Sequence, residues 1–373
     1  MVETQDQRKH LSQSKSIGRC IVSCIFVFLT QLVLTLVPRF FSASSFLTQL
    51  AFSALLLLLF LGFGGWCRRR LLQVRASAPA FVFFNILFIW GFYVSVIRQA
   101  VPLLNDAVFS GEVVFLVIGL YSILTSDPGI VTNGSASSDQ PLNSSVSQVD
   151  NHDEELELPC HESTEGSGLG TRVRYCRTCK AYIKGLDHHC PAFGNCIGQN
   201  NHLLFLILLF GFISTEASYL VCASLCKLAL LLLLILIPIY RQSCVFLFNV
   251  FPKLLCFTFY YSFLDPYTIC SVAAKSGILD RPSMEPTLSE NLAVSTILFM
   301  ILQLVWQVVF VIWHIYCVCV NIRTDEWIKW KKYPEFQLLV QPQPGQSFAN
   351  IRFRNPYDKG ILQNVEEFLA LRA

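Results

Sequence analysis

Charge is what this sequence has least of. Asp, Glu, Lys and Arg together supply 14% of its 373 residues, where a soluble domain carries about 25%, and this argues against a single water-soluble globule. Basic excess is also missing: 28 Lys and Arg stand against 25 Asp and Glu, too even a balance for a nucleic-acid binder, and none is expected as a partner. Internal repeats are absent. Methionine occurs 3 times while phenylalanine occurs 31 times. What the chain has instead is apolar mass, 53% of its residues, which excludes a fibrous or wholly disordered polymer.

The apolar residues come in long blocks: Cys20–Val37, Phe46–Gly65, Pro79–Ile97, Ala107–Leu124, Leu203–Leu225 and Leu292–Val320. A helix crossing the hydrocarbon of a bilayer needs about 20 residues, and each block comes close. The first block is too long for a signal peptide, and Pro38-Arg39-Phe40 is no small-residue cleavage site. The fold class expected is an α-helical polytopic membrane protein with about six transmembrane helices and a small cytosolic zinc-binding cysteine-rich domain. Residues 226–263, interrupted by Pro238, Arg241, Pro252 and Lys253, leave eight spans as the alternative count.

Positive charge sets the sidedness. Arg8, Lys9, Lys15 and Arg19 precede the first block, and Arg68, Arg69, Arg70 and Arg75 follow the second. Cytosolic loops collect Lys and Arg, so both termini and the polar stretch after the fourth block read as cytosolic. The expected division is 1–125 with four spans, a flexible linker 126–171, a cysteine-rich domain 172–202, a second membrane region 203–320 and a cytosolic tail 321–373. The linker holds two N-glycosylation patterns, at Asn133 and Asn143, which the predicted side makes accidental.

Most of the 15 cysteines lie singly in apolar blocks, where they read as small hydrophobes. Residues Cys176 to Cys196 differ. Cys176, Cys179, His188, His189, Cys190 and Cys196 crowd into one short stretch of a reducing compartment, which favours zinc or thiol chemistry over disulfides. Cys176 and Cys179 form a CxxC knuckle, and a closed zinc site needs two more ligands. If 187–190 is extended, alternate side chains point to opposite sides. His188 and Cys190 then share a face, while His189 turns away to join Cys196 and the knuckle. That arrangement leaves a Cys190–His188 pair with Asp187 beside it, the makings of an activated thiolate. The other arrangement uses all six residues on one or two structural zincs.

Asp187-His188-His189-Cys190 resembles the signature of the DHHC protein S-acyltransferases (palmitoyltransferases). Asp127-Pro128-Gly129 is similar to that family's DPG motif, Thr324-Asp325-Glu326 to the second half of its TTxE motif, and Asn355 through Gly360 to Asn364 to its PaCCT motif. The resemblance implies an acylated nucleophile Cys190, a base His188 oriented by Asp187, and a zinc site of Cys176, Cys179, His189 and Cys196. It implies palmitoyl-CoA as acyl donor and membrane-associated proteins with cytosolic cysteines as acceptors. A location in Golgi or endoplasmic reticulum is expected, with the plasma membrane as the alternative. The basic run Arg172, Arg174, Arg177, Lys180 and Lys184 is a candidate site for the CoA phosphates. Tyr357 and Asn364 are expected to dock the tail, and His314, an ionisable residue inside the last span, fits a helix-packing hydrogen bond at least as well as a functional role and is left out of the site.

Three departures stand out. A second zinc site of the family would need ligands near Glu162, Glu165, Tyr175 and Tyr182, so one zinc is expected. Ala192 replaces a usual Trp, and Arg323 replaces the first Thr of TTxE. These departures keep a second function open: a non-catalytic, zinc-braced membrane adaptor. Few intramembrane charges and no paired broken helices argue against a transporter.

Overall fold

The computed structural model describes residues 2–70, 76–131, 172–250, 288–340 and 350–370. Most of the expected linker, both glycosylation patterns, and residues 251–263 of the ambiguous apolar stretch lie outside the described residues.

Helix α1 (Val2–Leu34) continues through Thr35 into the short α2 (Leu36–Phe40). Then come α3 (Phe46–Arg70), α4 (Ala78–Phe92), α5 (Leu103–Thr125), α6 (His202–Val250) and α7 (Leu288–Cys319). Among the described residues, six helical segments are long and apolar enough to cross a membrane: Ser16–Phe40, Phe46–Trp66, Ala78–Ala100, Leu103–Thr125, His202–Lys227 and Leu288–Cys319. They match the six expected blocks, and the protein is an α-helical polytopic membrane protein. Helix α6 runs on past Lys227 without a break to Val250.

Several polar side chains inside the bundle pair with one another, as burial in hydrocarbon favours. Ser77 caps α4 by accepting the Ala80 amide, and its own amide donates to Ser23 on α1 at 3.0 Å. Asp106 on α5 is buried; it accepts the Tyr93 hydroxyl at 3.1 Å and pairs with Arg98 Nε at 3.0 Å, closing the short connection from α4.

Between α5 and α6 lie two small hairpins, β1 (Val173–Cys176) with β2 (Ala181–Lys184) and β3 (His188–Cys190) with β4 (Asn195–Ile197). Asp127-Pro128-Gly129 joins them to the bundle. The Asp127 carboxylate accepts the amides of Gly129 and Ile130, at 2.9 and 3.0 Å, and so turns the chain sharply at the end of α5. Gly129 has φ 101°, a conformation that L side chains rarely adopt. The turned segment then lies along β2, with Lys184 N donating to Gly129 O and Val131 N to Tyr182 O, both at 2.9 Å. Asn195 fastens the second hairpin by donating to the carbonyls of Ile123 and Ser126, which the end of α5 leaves free.

After α7 come α8 (Thr324–Lys329), a two-stranded pairing of β5 (Gln337–Val340) with β6 (Asn350–Phe353), and α9 (Ile361–Ala370). Asn355 and Asn364 hold this tail against the last span by donating to Val320 O and Cys319 O, at 2.6 and 2.8 Å. The Tyr357 ring carries the Arg172 guanidinium 3.4 Å above its centre, which links the tail to the hairpins.

Candidate active site

Strand β3 is extended, so its side chains alternate. His189 pairs across the hairpin with Cys196, His188 with Ile197 and Cys190 with Asn195. The strand thereby sends one set of groups towards β1 and the other towards the helices.

On the β1 side, Cys176, Cys179, His189 and Cys196 bring their ligand atoms within 4.8 Å of one another. Cys179 Sγ lies 3.4 Å from both His189 Nδ1 and Cys196 Sγ, and Cys196 Sγ lies 3.5 Å from His189 Nδ1. Zn–S near 2.3 Å and Zn–N near 2.0–2.1 Å in a tetrahedron put neighbouring ligand atoms about 3.5–3.8 Å apart. The four side chains therefore fit a closed zinc site. The Cys179 amide also faces Cys176 Sγ at 3.5 Å, and Lys180, with φ 53°, turns the knuckle back on itself. At the positions where the family resemblance would call for a second zinc, Tyr175 and Tyr182 face each other across β1 and β2 with ring centres 5.1 Å apart. Glu162, Glu165, Cys160 and His161 lie outside the described residues.

On the helix side, Cys190 is 7% exposed. It packs in one apolar cluster with Leu120 and Ile123 of α5, Phe205 and Leu209 of α6, and Val311 of α7. The sulfur thus opens onto the seam between three spans. His188 Nδ1 lies 2.7 Å from Asp187 Oδ2, and the ring makes an edge contact with Phe205 at 5.3 Å. Burial opposes charge on His188, but the hydrogen bonds to Asp187 and Cys190 and the charges of both outweigh it and raise its pKa from 6.5 to about 9. Asp187 is wholly buried. Burial pushes its carboxyl up, yet the bond from His188 and the surrounding histidines hold it well below the usual carboxylate range.

Several residues that complete this site come from beyond the hairpins. The Thr324 amide donates to Asp187 Oδ1 and the Asp325 amide to the Asp187 carbonyl, both at 2.9 Å. Glu326, fully buried, accepts the Arg323 amide at 3.0 Å and faces Arg172 Nε at 3.2 Å. His202, the first residue of α6, bonds the Arg323 guanidinium and meets Phe368 of α9 edge-on at 5.1 Å. His314, left out of the site on sequence grounds, lies close to it: its Nδ1 is 3.8 Å from Asp187 Oδ2. Of the basic run, Arg172 and Arg174 are committed to ion pairs with Glu326 and Glu335, whereas Arg177 and Lys180 are exposed and Lys184 is half-buried.

Residues 168–331 match the family model described as DHHC palmitoyltransferase. The chain is 29% identical over 116 residues to palmitoyltransferase ZDHHC8 of Drosophila melanogaster, covering 27% of this chain and 11% of that protein. It is 29% identical over 153 residues to probable protein S-acyltransferase 3 of Arabidopsis thaliana, covering 35% of this chain and 36% of that one. To palmitoyltransferase ZDHHC5 of Canis lupus familiaris it is 27% identical over 128 residues, 30% of this chain and 16% of the relative. The matches thus span from about a tenth to about a third of the relatives' lengths. Residues 168–331, which hold both hairpins and the last span, thus form a DHHC palmitoyltransferase-like domain.

Proposed function

We propose that this protein is a protein-cysteine S-palmitoyltransferase that works through an acyl-Cys190 intermediate, with its hairpins on the cytosolic side of an endomembrane. The observation that carries the reading is the division of labour along β3. His189 turns to the zinc set, while Cys190 and His188 turn to the membrane seam with Asp187 behind them.

Cys176, Cys179, His189 and Cys196 would hold a zinc ion, which would tie the CxxC knuckle to the second hairpin and so fix the backbone of β3. The chemistry belongs to the other face. His188, held protonated by Asp187, supports a Cys190 thiolate. The thiolate attacks the thioester carbonyl of palmitoyl-CoA, and the CoA thiolate departs with the His188 proton. In the second step the neutral His188 takes the proton of an acceptor cysteine, whose sulfur attacks the acyl-Cys190 carbonyl and releases Cys190. One thioester replaces another at each step, so no ATP is needed.

The position of Cys190 suits a long acyl chain. Each buried CH2 contributes about 0.8 kcal/mol, so a palmitoyl tail favours the apolar seam by on the order of 10 kcal/mol. Arg177, Lys180 and Lys184 are the members of the basic run left to face the CoA phosphates, because Arg172 and Arg174 are already paired. The test is incubation of the purified protein with palmitoyl-CoA. A hydroxylamine-sensitive adduct mapped by mass spectrometry to Cys190, and lost in Cys190→Ser, is expected. Absence of any adduct on the intact protein would mean a zinc-braced adaptor instead.

A further inference from the structure

The carboxylate of Asp187 is 0% exposed and has room for about four hydrogen bonds. The Thr324 amide serves Oδ1 and His188 serves Oδ2. A further potential donor on the Oδ2 side is His314 Nδ1 at 3.8 Å. His314 is itself 1% exposed, and neither ring nitrogen has a hydrogen-bond partner among the described residues. Its surroundings are aromatic, with ring centres of Phe310 at 4.6 Å, Phe205 at 5.0 Å and His188 at 5.6 Å. A phenylalanine would satisfy this pocket better on packing grounds, and two orphaned ring nitrogens are destabilising. Something other than packing therefore explains an imidazole here.

Asp187, His202 and His314 also gather ligand atoms within 4.8 Å, the spacing of a metal cluster. The guanidinium of Arg323 bonded to His202 Nδ1 occupies one of the nitrogens and places a fixed positive charge beside the cluster, which disfavours a cation. A hydrogen-bond network is the better account.

We infer that His314 is a positioning residue of the acyl transfer, its Nδ1–H closing on Asp187 Oδ2 to hold the carboxylate in place while His188 surrenders and regains its proton. This inference rests on the acyl-Cys190 reading above. Active-site bonds that are long in the resting protein often tighten along the reaction, and here a shift of about 1 Å brings the pair to bonding distance.

The test compares His314→Phe, which keeps the ring but has no donor, with His314→Asn, whose amide N–H takes the place of Nδ1–H. Both are read in the full-length protein in micelles, by the limiting rate of CoA release from palmitoyl-CoA, the half-saturating concentration and the thermal midpoint. The Phe variant should lose at least about 10-fold in limiting rate with an unchanged half-saturating concentration and an equal or higher midpoint. The Asn variant should recover most of the rate. On an Asp187→Asn background, His314→Phe should change nothing further. A Phe variant as fast as the parent, an Asn variant as slow as Phe, or a loss of rate matched by a fall in midpoint would each overturn the inference. A parent protein that forms no adduct at all would instead overturn the acyl-Cys190 reading and this one with it.

Discussion

His188 gains its charge from neighbours that no other state of the chain supplies. Its folded pKa of about 9 lies above the ordinary 6.5, so the folded protein holds this proton more tightly than the unfolded chain does. The stabilisation is complete below about pH 6.5 and fades as pH rises through about 9, with a ceiling of about 3 kcal/mol. The thermal midpoint should exceed that of His188→Gln by a margin that is widest near pH 6.5 and shrinks towards pH 10. A margin independent of pH would contradict the assignment. Asp187 contributes with the opposite sense: its depressed pKa gives stability that is present at neutral pH and is lost on acidification. Arg323 shows how a substitution is absorbed at this scale. Its amide still serves Glu326, while its guanidinium finds His202 and lies 6.0 Å from the Phe368 ring.

At the scale of elements, the junction between α5 and the hairpins is closely packed. A Cβ built on Gly198 would stand 2.2 Å from Pro128 O and 2.7 Å from Ile183 Cγ2. Backbone and β2 cannot both yield, so Gly198→Ala should push the Asp127–Gly129 turn away from β2 at about 1–3 kcal/mol. Size-exclusion and thermal melting of the two alanine variants would measure it, with Gly111→Ala, where nothing lies within 4 Å, expected to behave as the parent. The elements also show what can be read from letters alone. The spans were legible because their length and apolarity are set by the bilayer, and the two faces of β3 because alternation is a property of any extended strand. The seat of Asp187 was not legible, since Thr324 lies far along the chain and contributes only its amide. Nor was Glu326 as the meeting point of Arg172 and Arg174; ion pairs between distant segments leave no local pattern. His314 left one trace, an ionisable side chain inside an apolar span.

At the scale of the whole molecule, one metal ion per chain is expected. Tyr175 and Tyr182 meet in a ring contact across the first hairpin at the place where the family resemblance would put ligands of a second zinc. Elemental analysis of the purified protein should return one zinc, and two would refute the assignment. Stripping that zinc should abolish acylation while far-ultraviolet circular dichroism keeps most of its helical signal, because the four zinc ligands all lie in the hairpin segment and none lies in a spanning helix. The tail is less separable: Tyr357 lies under Arg172, and Asn364 grips the end of α7, so the last residues help to build the wall behind His202. The grip of α8 on Asp187 runs through main-chain amides of Thr324 and Asp325. Seating the carboxylate therefore asks only for those two amides, while the Asp325 side chain is engaged separately, by Lys329 and Tyr333. Relatives whose spelling differs there deserve to be judged by whether the turn after the last span is retained.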